Sequence, residues 1–182
     1  MKTPDYRIQL ESAHSGFDGK WFWGHARPGR IGDRSGSYIV TTQRTLRSGS
    51  DLFYTVHSLR TDDDGRTWSE PRPHEGLSRR QEAAGVEVNM CDPTPTWHEA
   101  TRTLLCTGHT VRYAENKVMH VRTRETAYTI YDPAANAFSP WTTVEMPDEP
   151  FFKNGGAGST QRVDLADGTI LLPIYCKPPE DK

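Results

Sequence analysis

The stretch Thr61-Asp-Asp-Asp-Gly-Arg-Thr-Trp68 constrains what this chain can fold into more than any other segment. It reads S/T-x-D-x-G-x-T-W, and its chemistry is that of a demanding hairpin. Thr61 and Asp63 carry short side-chain oxygens that can bond turn amides, and Gly65 can take a positive φ without a Cβ clash. Thr67 then closes the turn, and Trp68 is expected to plug the space between packed sheets. The bland alternative is a polar loop that happens to end in a buried Trp.

The flanking sequence agrees with a hairpin-rich, all-β chain. Short β-type segments separated by turn residues dominate, and no long stretch shows the 3.6-residue apolar period of an amphipathic helix. Strands are expected to begin at Trp21-Phe-Trp23, then to run over Ser37 to Thr42, Leu52 to His57 and Trp68 to Arg72. The pattern restarts with Asp92 to His98, Thr103 to Thr107 and Ala127 to Tyr131, followed by Asp132 to Trp141, a worn copy of the first turn that retains its Trp. A third unit begins near Ser159 to Leu165, turns at Asp167-Gly168 and continues through Thr169 to Tyr175. The interval from Trp68 to Trp141 exceeds the roughly 40 to 50 residues of one common β-repeat, so Glu70 to Val88 is expected to be a surface excursion.

Charge and composition narrow the function classes. The 22 Lys and Arg against 24 Asp and Glu give a net charge of -2, and the basic residues are scattered rather than striped, so nothing favours nucleic acid. No apolar run approaches the roughly 20 residues of a membrane span. The first residues lack the apolar core of a secretory signal, which implies a cytoplasmic protein unless the true beginning is missing. Cys91, Cys106 and Cys176 are odd in number and far apart, as expected of buried reduced thiols. The seven His residues show neither HxH nor HExxH spacing, so no metal and no cofactor is expected.

Thr61 to Trp68 is similar to the Asp-box turn found between outer strands of many β-propeller blades, and further motifs in order resemble the sialidase (neuraminidase) superfamily. His25-Ala-Arg-Pro-Gly-Arg30 stands where that family has an Arg motif, usually in an F-R-I-P setting, and Ser48-Gly-Ser-Asp-Leu-Phe53 stands where it has a loop with an acidic residue. Cys91-Asp-Pro-Thr-Pro95 looks like its x-D-P-T segment. Gly155 to Gln161 with Asp167 to Pro173 is similar to its glycine-rich entry into a third blade. The resemblance implies an all-β, six-bladed β-propeller of sialidase type, with about two and a half N-terminal blades present. Blade one would span about 17–73, blade two about 88–147 and the start of blade three about 155–177.

It also implies an exo-acting glycoside hydrolase that removes terminal sialic or related acidic sugars, with a sialoside or other glycan as partner. Arg27 would be the first member of the family's three-Arg cluster, with Arg30 as its rival, because a planar guanidinium holds a carboxylate through two parallel bonds. Asp51 would be the catalytic acid, beside Leu52 and Phe53. Asp92 would accept hydrogen bonds from sugar hydroxyls. Each has a plainer reading: Arg27 as a solvated surface group, Asp51 as a turn cap, Asp92 as the residue that fixes the turn before Pro93. In the resembling proteins a Tyr activated by a Glu and the other two Arg come from later blades, so the polypeptide as given is expected to lack the full machinery. Two alternatives stay open: a non-catalytic Asp-box propeller that binds carbohydrate or protein, and a propeller glycosidase acting on neutral polysaccharide with paired carboxylates.

Overall fold

A computed structural model of the chain describes residues 5–32, 36–47, 49, 51–120 and 123–177. Ser48 and Ser50 of the acidic loop lie outside the described residues. The fold is all-β, with curled antiparallel sheets and no α-helix among the described residues.

The first sheet is a meander in the order β1-β2-β3-β4, formed by β1 (Trp21–Arg30), β2 (Tyr38–Leu46), β3 (Phe53–Thr61) and β4 (Arg72–Pro73). The fourth strand is shorter than expected and starts later. Ser69 N–H still reaches Arg60 O at 2.9 Å, but Pro71 and Pro73 have no N–H to donate, so the ladder reduces to two residues.

The turn between β3 and β4 is built by Thr61 to Trp68. Thr61 Oγ1 accepts the Gly65 N–H at 3.0 Å, and Asp63 accepts the Thr67 N–H at 2.9 Å and the Thr67 hydroxyl at 2.7 Å. These bonds, with the Thr61 hydroxyl, hold the Asp63 carboxyl down to about 2. Gly65 sits at φ 80, with the Trp68 indole lying over it. Trp68 is only half-buried and does not join the core, whereas Trp141 is buried in it.

The second sheet runs β10-β9-β7-β6-β5. It contains β5 (Arg80–Ala83), β6 (Val86–His98), β7 (Thr103–Ala114), β8 (Lys117–Val118, on β7), β9 (Thr126–Asp132), β10 (Ala137–Phe138) and β11 (Thr142–Thr143, on β9). Here β6 begins six residues before the expected Asp92. The excursion from Glu70 to Val88 is more ordered than a surface loop: it carries β4, a 3-10 turn at Glu75–Leu77 and β5, which pairs with the start of β6. Beyond it, β12 (Gly155–Gly156) pairs with β15 (Tyr175–Cys176), and β13 (Val163–Asp164) with β14 (Ile170–Leu171).

The main core lies between the two large sheets, where Ile31, Ile39 and Val56 meet Val88, Met90, Leu104, Cys106 and Tyr131, with Leu77 from the 3-10 turn closing one side. A smaller cluster of Leu52, Phe53, Cys91, Val111 and Tyr113 sits under the β2–β3 loop. The inward face of β2 is unusual: Thr41, Gln43 and Thr45 are buried beside Ile39.

His74 introduces a pH dependence. It is buried, its Nε2 lies 2.7 Å from Ser58 Oγ, and its ring packs against Phe138. Burial, followed by the nearby charges of Arg72 and His57, lowers its pKa from 6.5 to about 4. A folded value below the unfolded one means that the unfolded chain binds the proton first as pH falls. The stability that the neutral imidazole contributes is therefore complete above about pH 6.5 and lost on the way down to about pH 4, a total of about 3 kcal/mol. Urea midpoints measured at pH 7 and pH 4.5 should differ less in His74→Gln than in the wild type. An unchanged difference would remove His74 as the cause.

Candidate functional site

Two β-bulges create the site. In β1 the register slips between Gly24 and Arg27, and in β6 between Cys91 and Thr94. A bulge turns side chains that pairing would otherwise hold in alternation, and it leaves backbone groups to be satisfied elsewhere. In β6 the polar face of β2 satisfies them: Thr41 Oγ1 donates to Pro93 O at 2.6 Å, Gln43 Nε2 donates to Met90 O at 3.1 Å, and Gln43 Oε1 accepts the Asp92 N–H at 3.2 Å. On the other side of the bulge Gly108 is obligatory, because a Cβ there would stand 2.4 Å from Cys91 O.

The bulges bring β1 and β6 together at the cluster His25, Arg27 and Asp92. The Asp92 side chain is only 5% exposed. Its Oδ1 accepts a hydrogen bond from His25 Nδ1 and one from Arg27 Nη2 at 3.3 Å. Its Oδ2 accepts from Ser159 Oγ at 3.3 Å and lies 3.9 Å from His109 Nδ1. Ser159 Oγ in turn accepts from Arg27 Nη2 at 2.8 Å, which closes a ring of three polar groups. Arg27 Nε is buried with no hydrogen-bond partner among the described residues. The glycine-rich segment permits this close approach: a Cβ at Gly158 would lie 2.0 Å from His109 Nδ1.

Three of the nine described non-glycine residues with positive φ belong to this cluster, and Asp51 is another of the nine. His25 (φ 57), Asp92 (φ 55), Ser159 (φ 57) and Asp51 (φ 58) all occupy the left-handed region without being glycine. Each such residue costs on the order of 1 kcal/mol and persists only where surrounding contacts over-determine it. Of the four, only Asp51 stands apart from the polar cluster. Its side chain is exposed and its carbonyl accepts the Tyr113 hydroxyl at 2.9 Å, while Leu52 and Phe53 turn into the smaller core. Phe53 links it to the cluster, with its ring centroid 4.6 Å from that of His25.

The structure thus joins Arg27 and Asp92, which lie 65 positions apart, and leaves the Asp51 side chain outside their contacts. Arg30 closes β1 opposite Tyr38 and is exposed. Both oxygens of Asp92 accept hydrogen bonds from protein groups, which hold Arg27 and His25 beside it. Four residues of the arrangement, His25, Gln43, His109 and Ser159, escape the sequence reading. A signal existed for two of them, since His25 stands in the Arg27 motif and Ser159 in the glycine run. Gln43 and His109 lie in ordinary strand sequence.

Neighbouring thiols are chemically quiet. Burial, followed by the Asp92 carboxylate, pushes the Cys91 thiol well up, and burial does the same to Cys106. Among the described residues no group of three or more His, Cys, Asp and Glu could hold a metal ion, and no helix is long and apolar enough to cross a membrane. A surface depression of about 290 Å³ lined by Trp21, Arg44, Tyr54, Thr55, His57 and Pro73 shares no residue with the cluster. No family model and no curated protein matches this chain.

Proposed function

We propose that the chain forms part of a sialidase-like β-propeller whose cluster at Arg27 and Asp92 recognises the carboxylate of a terminal acidic sugar, in a protein that hydrolyses the glycosidic bond to that sugar. In this reading the first sheet is blade one, the β6–β7–β9 sheet with its edge strands is blade two, and the short ladders begin blade three. Exposed apolar side chains on those ladders, Val163, Leu165, Leu171 and Tyr175, supply a surface that a further blade would cover.

The observation that carries the reading is the state of Arg27. Asp92 and Ser159 hold its Nη2, and its buried Nε–H has no partner among the described residues. An unsatisfied buried donor costs about 1–3 kcal/mol, and a ligand carboxylate oxygen that accepts the Nε–H would relieve it. Asp51, two residues before the Phe53 whose ring packs on His25, is the proposed proton donor to the departing oxygen.

The intact protein should release the fluorophore from a 4-methylumbelliferyl sialoside. Arg27→Ala should raise KM, and Asp51→Asn should lower kcat by about 100-fold. Equal turnover by wild type and Asp51→Asn would remove Asp51 from the acid role. Turnover of neutral glycosides alone would replace acidic-sugar recognition with the neutral-polysaccharide alternative.

A further inference from the structure

We propose that Tyr113 and Arg79 are positioning residues that lock the strained backbone of Asp51 and leave its carboxyl free for a ligand. The catalytic part of this inference rests on the reading above, in which that carboxyl is the proton donor; the lock itself stands on contacts of its own.

Asp51 differs from four other aspartates in turns. Asp18, Asp63, Asp132 and Asp167 each use the carboxylate to accept an amide of their own turn. The Asp51 carboxyl makes no such bond among the described residues, although the backbone sits at φ 58.

That backbone is held from behind instead. Tyr113 of β7 is fully buried; its hydroxyl donates to Asp51 O at 2.9 Å and accepts the Phe53 N–H at 3.3 Å. Burial pushes this hydroxyl well up, so it stays a donor. Arg79 Nε donates to Phe53 O at 3.0 Å, and its guanidinium lies over the Tyr113 and Tyr54 rings, 3.8 and 4.2 Å from their centroids. Asn116, in the turn between β7 and β8, ties the group together: its Oδ1 accepts from Arg79 Nη1 at 2.8 Å and from the Tyr54 hydroxyl at 2.7 Å. Residues 51 to 54 are thus gripped through main-chain and ring groups, and none of these bonds involves the Asp51 carboxyl. Arg79 belongs to the excursion from Glu70 to Val88, which gives that segment a task.

A left-handed non-glycine residue persists only where its surroundings over-determine it, and here Tyr113 and Arg79 do so. Fixing the backbone fixes the direction of the Asp51 Cα–Cβ bond. A general acid works only within hydrogen-bond reach of the oxygen it protonates, so a displaced acid slows the chemical step while binding survives.

Two measurements test this. In the present chain, Tyr113→Phe keeps the ring and removes one hydroxyl, and amide hydrogen exchange reads the loop directly. Exchange at Phe53 should speed up about tenfold, while amides in the middle of β3 keep their wild-type rates. In the intact protein, loss of a well-placed acid slows a poor leaving group most. Tyr113→Phe should therefore lower kcat about tenfold with sialyllactose, with KM nearly unchanged, and by clearly less with the 4-methylumbelliferyl sialoside. Arg79→Lys, which keeps the charge but loses the planar fork, should act in the same direction. Unchanged exchange at Phe53 would overturn the lock whatever the substrate does. Faster exchange with equal losses on both substrates would reduce Tyr113 and Arg79 to packing and overturn their positioning role. Faster exchange in the variant, with no sialoside turnover by the intact wild type, would keep the lock and overturn the acidic-sugar reading together with the catalytic part.

Discussion

Gly29→Ala is expected to destabilise the protein by about 3 kcal/mol, at the upper end of what overpacking a core costs. Gly29 lies in β1 where it crosses Pro95 of β6. A Cβ there would stand 2.4 Å from the Pro95 carbonyl oxygen and 2.8 Å from two of its ring carbons. None of these atoms is the end of a flexible side chain, so the two sheets must separate to admit a methyl group. Separation loosens the packing of Ile31 and Ile39 against β6 and shifts Arg27 relative to Asp92, so the cluster should be disturbed together with stability. Gly85→Ala is the control. Gly85 has φ 74 but open space around its Cβ position, so only the left-handed strain of about 1 kcal/mol applies. Urea denaturation should rank wild type, Gly85→Ala and Gly29→Ala in that order. Equal midpoints for the two variants would show that the β1–β6 contact is not tight.

Asp92→Ala should cost about as much for a different reason. Removing one member of a buried ion pair leaves the other charge uncompensated, which typically costs about 3–5 kcal/mol. The Arg27 side chain is 26% exposed and can recover some hydration, so the lower end, about 3 kcal/mol, is expected here. Alanine also tolerates the left-handed backbone of residue 92 poorly, whereas asparagine is enriched in that conformation. Asp92→Asn should therefore retain most of the stability while losing the charge that orients His25. If both variants unfold at the wild-type midpoint, the carboxylate holds nothing together. If Asp92→Asn is as damaging as Asp92→Ala, the charge matters more than the backbone.

Much of the local structure was readable because it is set by neighbours in sequence. The Thr61 to Trp68 turn is an example: its bonds join residues two to four positions apart, and Gly65 takes the conformation that its missing Cβ allows. The strand starts at Trp21 and near Tyr38 and Phe53 follow in the same way from β-branched and aromatic runs bounded by turns. One failure was local, because Pro71 and Pro73 stand in or beside the segment itself, and the others had non-local causes. The strand expected over Trp68 to Arg72 gave way to two prolines, and the excursion from Glu70 to Val88 acquired a strand because β6 offered it an edge. Thr41 and Gln43 look like solvent-facing strand residues, yet they are buried because the Asp92 bulge, about 50 positions later, needs their oxygens and amide.

Residue types and short-range spacing were enough to determine an all-β chain and many of its turns, because alternation, turn chemistry and side-chain size act within a few residues. Only the tertiary structure decided that Asp92 faces His25 and Arg27 and that Asp51 does not join them. A one-residue slip in a strand reverses every side chain beyond it, and where that slip falls is settled by the opposing strand.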